Sequence, residues 1–110
     1  MKQKPIFLRC YGNSPQFRVL DFLITFEDFD YSMKDIAKNS KIGYTTLKLI
    51  WNDLINRNVV VQTRIVGKAK MFKLNKDNLE IKAFIKLYWM VIDRETDLLL
   101  KSEKLMKIKN

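Results

Sequence analysis

Apolar positions recur at helical spacing in two adjoining stretches near the middle of the chain, with one break between them. Met33, Ile36 and Ala37 share one helical face, while Lys34 and Lys38 point the other way. Ser32, with Asp35 three residues on, has the spacing of a capping box at the start of this helix. The pattern fails at Asn39-Ser40, and Gly43 is expected to permit a turn that a side chain would resist. A second helix is predicted from Tyr44, with Leu47, Ile50 and Leu54 as its inner stripe and Trp51 at the border. Asn58 falls where a left-handed terminal residue is expected, a conformation asparagine tolerates.

Upstream, Gly12-Asn13-Ser14-Pro15 marks a boundary, with Ser14 as cap and Pro15 suited to the first helical position. The helix after it is predicted to run to Phe26, with Val19, Leu20 and Leu23 toward the core and Phe22 and Phe26 available to a neighbour. Within residues 1–14, IFLRCY reads as a short strand or as one helical turn. Glu27 to Asp30 is an acidic turn, and Phe29 with Tyr31 suggests a short extended piece. After Asn58 the period changes to two. Val61, Thr63 and Ile65 alternate with Val60, Gln62 and Arg64, in a β-branched run that favours a strand. Val66-Gly67-Lys68 is the predicted turn and Ala69–Leu74 the returning strand, with Phe72 and Leu74 on one face. From Asn78 the helical period returns, and Leu79, Ile81, Phe84, Ile85, Tyr88, Trp89, Val91 and Ile92 cover more than one face. Ile81, Phe84, Ile85, Tyr88, Trp89 and Ile92 are therefore candidates for dimerisation; packing wholly within the chain is the competing reading. At 93–97 this helix bends, stops or runs on. The expected organisation is an extension over 1–12, one mainly α domain with a small antiparallel β-hairpin (α+β) over 13–76, and a C-terminal helix over 77–110.

Composition narrows the chemistry. With 110 residues, 47% apolar and 30% charged, the chain fits one ordered domain. No apolar run approaches the ~18 residues of a membrane span, so no membrane partner and a cytoplasmic location are expected. Cys10 is alone, which excludes an internal disulfide, and is read as a small buried hydrophobe. There is no histidine, which removes histidine metal ligands and general bases. No glycine-rich phosphate loop is present. A non-enzyme without cofactor or metal is expected.

The net charge of +9 is unevenly placed: residues 1–37 are neutral overall, residues 38–76 carry +8, and residues 77–110 carry +1. A one-sided basic block on a folded unit points to a polyanion. Two helices joined by a tight turn fit a helix-turn-helix, whose second helix faces base edges in the major groove. On helix 44–57 the outward candidates are Tyr44, Thr45, Thr46, Lys48 and Asn52. Asparagine suits adenine, lysine suits guanine, and the threonine methyl suits thymine. Lys34, Lys38 and Lys41, with Arg64, Lys68 and Lys70 of hairpin 60–74, are candidate phosphate contacts. A solvated helix face and a lysine-protected sheet edge are the plainer readings of the same residues.

The stretches NSPQFRVLDFLI, KDIAKNSKIGYTTLKLIWNDLINRNVV and TRIVGKAKMFKLN together resemble a winged helix-turn-helix domain over about residues 13–92. They are similar to the small MarR/ArsR-like transcription regulators of archaea and bacteria. The resemblance implies a homodimer on double-stranded DNA with a two-fold operator, the second helix in the major groove and the hairpin as a wing on the backbone or minor groove. The chain departs from the group by placing Gly43, a weaker cap, before the reading helix. It also lacks the cysteine and histidine ligands of the metal-sensing branch. A protein-interaction or RNA-binding module of a larger complex is the alternative function, since this fold serves those roles too.

Overall fold

Two serines start the first long helix and the first helix of the central pair. The computed structural model describes residues 5–109, with side chains to residue 107; the first four residues of the 1–12 extension and Asn110 lie outside it. The Ser14 Oγ accepts from the Phe17 amide at 3.2 Å, with Pro15 in the first turn of α2 (Pro15–Thr25). The Ser32 Oγ accepts from the Asp35 amide, also at 3.2 Å, at the start of α3 (Met33–Ser40). Before them, IFLRCY is helical as α1 (Ile6–Tyr11). After α3 come α4 (Tyr44–Asn56), β2 (Val60–Val66), β3 (Ala69–Leu74) and α5 (Leu79–Lys109). The extended piece at Tyr31–Ser32 is β1, and it joins the hairpin as a third antiparallel strand in the order β1-β3-β2.

The core spans every layer. Ile36 and Leu47, fully buried, hold α3 against α4; Val19, Leu23 and Ile24 of α2 and Phe72 and Leu74 of β3 close around them. Phe22 corrects the expectation that it faces a neighbour: it is buried, its ring 4.7 Å from Tyr31, whereas Phe26 remains exposed. The stripe of α5 finds its partner inside the chain. Phe7 of α1 stacks around Phe17, Phe84 and Tyr88 at centroid distances of 5.7, 5.5 and 5.0 Å. This aromatic cluster corrects two dimerisation candidates, because Ile81 and Tyr88 are buried in the chain's own core. Phe84, Ile85 and Ile92 are partly buried against that core, and Trp89 is 41% exposed. Cys10 is likewise corrected: it is exposed, with its Sγ 3.4 Å from a Glu95 carboxylate oxygen, because Phe7 and Leu8 take the buried face of α1.

Through 93–97 the helix runs on, since DRETD contains neither proline nor glycine, and α5 reaches 31 residues. Its start is fixed by Asn78. The Asn78 Oδ1 accepts from the Glu80 amide at 2.9 Å, while its Nδ2 donates to the Asn58 and Arg57 carbonyls at 3.0 and 3.2 Å. One side chain thus caps α5 and closes the end of α4.

Candidate nucleic-acid interface

The turn between α3 and α4 owes its shape to Lys41 rather than to Gly43. Lys41 adopts φ 58°, ψ 42°, and the Ile42 amide reaches back to the Ala37 carbonyl at 3.1 Å. Gly43 sits in extended backbone at φ −68°, and a Cβ there would meet only Thr46 Oγ1 at 3.8 Å, so the turn does not require glycine. Arg18 of α2 fixes the turn from below: its guanidinium donates to the Lys41 carbonyl at 2.8 Å and to Asn13 Oδ1 at 2.6 Å. Asn58 takes the left-handed position expected of it, φ 57°, with the Val59 amide bonded to the Leu54 carbonyl at 2.9 Å.

Helix α4 buries Leu47, Trp51 and Leu54, and Trp51 meets Phe72 edge-to-face at 4.9 Å. That contact seats the hairpin beside the helix. The opposite face presents Thr45, Lys48 and Asn52 to solvent; Thr46 is half-buried, and Tyr44 is exposed with the Lys48 ammonium 4.8 Å above its ring. Two further exposed residues on that face, Leu49 and Asn56, lie outside the sequence-derived set.

At the hairpin tip, Gly67 holds φ 63° at the first turn position, as a type II′ turn requires. The alternation read from the sequence is interrupted by a bulge: Gln62 pairs with Phe72 but Arg64 with Met71, leaving Thr63 extra. The bulge brings Thr63 and Arg64 onto Asp30. Arg64 makes a two-pronged pair with that carboxylate at 2.9 and 3.0 Å, and the Thr63 hydroxyl donates to it as well. The hydrogen bonds from Arg64 and then Thr63 hold the Asp30 carboxyl down at about 2. Arg64 is thus a wing-to-body tie, unlike the other basic candidates.

The charge map sharpens accordingly. Among the described residues, ion pairs engage Arg57 with Asp53 and Glu80, Arg64 with Asp30, and Lys76 with Glu27. Lys34, Lys38, Lys41, Lys48, Lys68, Lys70 and Lys73 have no such pair and are exposed. Lys34, Lys68 and Lys70 converge with Tyr44 on one cleft of about 550 Å³, floored by Trp51 and Phe72, between the start of α4 and the hairpin. Lys41 lies apart, beside Arg18 and Asn39 on a second cleft of about 400 Å³. Asp21 and Tyr88 line that cleft too, the tyrosine hydroxyl donating to the carboxylate at 2.6 Å.

No protein-family model matches the chain, and no curated protein sequence is significantly similar to it. Solved structures are similar in fold. Staphylococcus aureus MepR, described as a transcription regulator of the multidrug efflux pump MepA, superposes with a TM-score of 0.65 at 15% identity, over 87% of this chain and 71% of MepR. A MepR variant bound to an oligodeoxyribonucleotide gives 0.63 at 14%, over 87% and 72%. A MarR family transcriptional regulator from Silicibacter pomeroyi gives 0.60 at 18%, over 80% of this chain but only 60% of its own. With α3–α4, the β2–β3 hairpin and α5 in these positions, the chain has the winged helix-turn-helix fold.

Proposed function

We propose that this winged helix-turn-helix chain is a sequence-specific double-stranded DNA-binding protein that regulates transcription as a homodimer. One observation carries the reading: unpaired lysines from α3 and from the wing, Lys34, Lys68 and Lys70, meet at the exposed start of α4. The DNA-bound MepR variant shows a neighbour of this fold on DNA, which supports the same use of the surface here. In this reading α4 enters the major groove, with Tyr44, Thr45, Thr46, Lys48 and Asn52 toward base edges. Lys34, Lys38, Lys41, Lys68 and Lys70 hold phosphates, and the wing lies on the backbone or in the minor groove. Arg64 keeps the wing in place through Asp30 and contributes little to phosphate binding. The chain acts as a binding protein and not as an enzyme.

The second copy meets the apolar side chains of α5 that the core leaves uncovered: Trp89, Met90, Leu98, Leu100, Leu105 and Met106, all at least 41% exposed. Of the sequence-derived set, Trp89 stays in this interface, flanked by Phe84, Ile85 and Ile92.

Selection of bound duplexes from a random DNA library at two salt concentrations tests the proposal. The expected result is an inverted repeat with half-sites about one helical turn apart. Salt-sensitive binding with no enriched sequence excludes sequence-specific regulation. No binding at low salt excludes DNA and leaves a protein-interaction or RNA-binding module. Asn52→Ala is expected to cost ~1–3 kcal/mol on the selected site and little on random duplex.

A further inference from the structure

The outward face of α4 contains one large apolar side chain, and the core has no use for it. Leu49 is 79% exposed, and it is absent from the buried cluster that takes Leu47, Trp51 and Leu54 and from the side chains packed against that cluster. A single exposed leucine is ordinary on a protein surface; its position here is not. At 3.6 residues per turn, Thr45, Leu49, Asn52 and Asn56 fall within an arc of about 60°, opposite the buried stripe. Leu49 therefore lies at one edge of the face offered to a groove, midway along the helix, one turn from Thr45 on one side and from Asn52 on the other. Lys48, across the face from it, leans back over the Tyr44 ring.

Base edges in the major groove are polar except for one group, the C5 methyl of thymine. An exposed leucine on a reading face has that group as its complement. We propose that Leu49 is a specificity-determining residue that covers a pyrimidine C5 methyl group, thymine's in unmodified DNA. This rests on the DNA-binding reading above. Leu49 and Asn52 are three residues apart, ~4.5 Å along the helix axis, close to the ~3.4 Å rise of a base pair. For a helix lying along the groove, the methyl contact is then expected within about one base-pair step of the adenine expected for Asn52.

The test removes the methyl and nothing else. On the selected operator each thymine in turn is replaced by deoxyuridine, and in a second series each cytosine by 5-methylcytosine. Affinity is read by fluorescence anisotropy for the wild type and for Leu49→Ala, a change at an exposed helical site that leaves the fold intact. Deoxyuridine at one position per half-site is expected to weaken the wild type about threefold to fivefold, the effect of uncovering one methyl. Leu49→Ala is expected to show the same loss on thymine and no response to deoxyuridine. A gain with 5-methylcytosine and no response to deoxyuridine keeps the methyl contact and assigns it to modified cytosine. Indifference of the wild type to every methyl, or unchanged methyl sensitivity in Leu49→Ala, overturns the inference while leaving DNA binding intact. Failure to bind any duplex overturns it together with the function it rests on.

Discussion

Single side chains decide what the basic block can do. Arg64 and Lys68 differ by four positions in sequence, yet one is held by a carboxylate and the other is free. Replacing Lys68 or Lys70 with alanine is expected to weaken binding to all duplexes and to flatten the salt slope by about one per lost phosphate contact. Arg64→Ala is expected to leave that slope unchanged and to loosen the wing, read as faster amide exchange at Thr63 and Met71. Because the folded-state pKa of Asp30 is depressed, the stability from this tie is complete above the ordinary carboxylate range. It is lost as pH falls through about 2. Asp21 has the opposite sign. Burial raises its carboxyl, against the lowering effect of the Tyr88 hydrogen bond. A raised value means that its contribution is complete below the unfolded carboxylate pKa and is lost as pH rises through the folded one. Asp21→Asn is therefore expected to gain on the wild type as pH rises above the ordinary carboxylate range, read by urea unfolding. Tyr88→Phe, which leaves a buried carboxylate without its donor, is expected to cost ~1–3 kcal/mol at pH 7.

At the scale of elements, both helices of the central pair end alike. The Ile42 and Val59 amides reach back to the Ala37 and Leu54 carbonyls, with Lys41 and Asn58 left-handed between. Asparagine tolerates that backbone, whereas lysine adopts it at a cost. Lys41→Gly is expected to raise stability by ~1 kcal/mol and Asn58→Ala to lower it by a similar amount, both measured by thermal melting. The Asn58 end was legible because asparagine is a recognised signal; the Lys41 end was not, because lysine is not, and the nearby Gly43 drew the assignment. The period of α3, α4, the hairpin and α5 was legible because burial imposes it on one face. The partner of the α5 stripe was hidden, since α1 contributes only Phe7 and Leu8 from a six-residue helix too short to show a period. The bulge at Thr63 was invisible because the alternation of side chains runs through it unbroken in sequence, and the Asp30 tie because it joins residues more than 30 apart. The outward face of α4 was legible in its polar members. Leu49 escaped because an apolar residue in an apolar-rich helix reads as core until its neighbours are placed.

The molecule as a whole is elongated, 58 × 32 × 22 Å, because α5 extends beyond the body that α1 covers. Its distal half has leucines at 98, 99 and 100, each about half exposed. In the proposed dimer, Leu98→Lys together with Leu100→Lys is expected to give a monomer by sedimentation equilibrium, with intact helical circular dichroism and at least a tenfold loss of operator affinity. A dimer surviving both changes would place the contact elsewhere. The Asn78 joint has a mechanical meaning. It welds the end of α4 to the start of a rod that, at 31 residues, is ~46 Å long. A tilt of about 5° at one end of such a lever moves the other by ~4 Å, more than the ~3.4 Å step from one base pair to the next. In the proposed dimer, the pitch at which two copies would address a duplex then depends on the Asn78 amide and the Arg57–Glu80 pair beside it, both far from any base they would help to read.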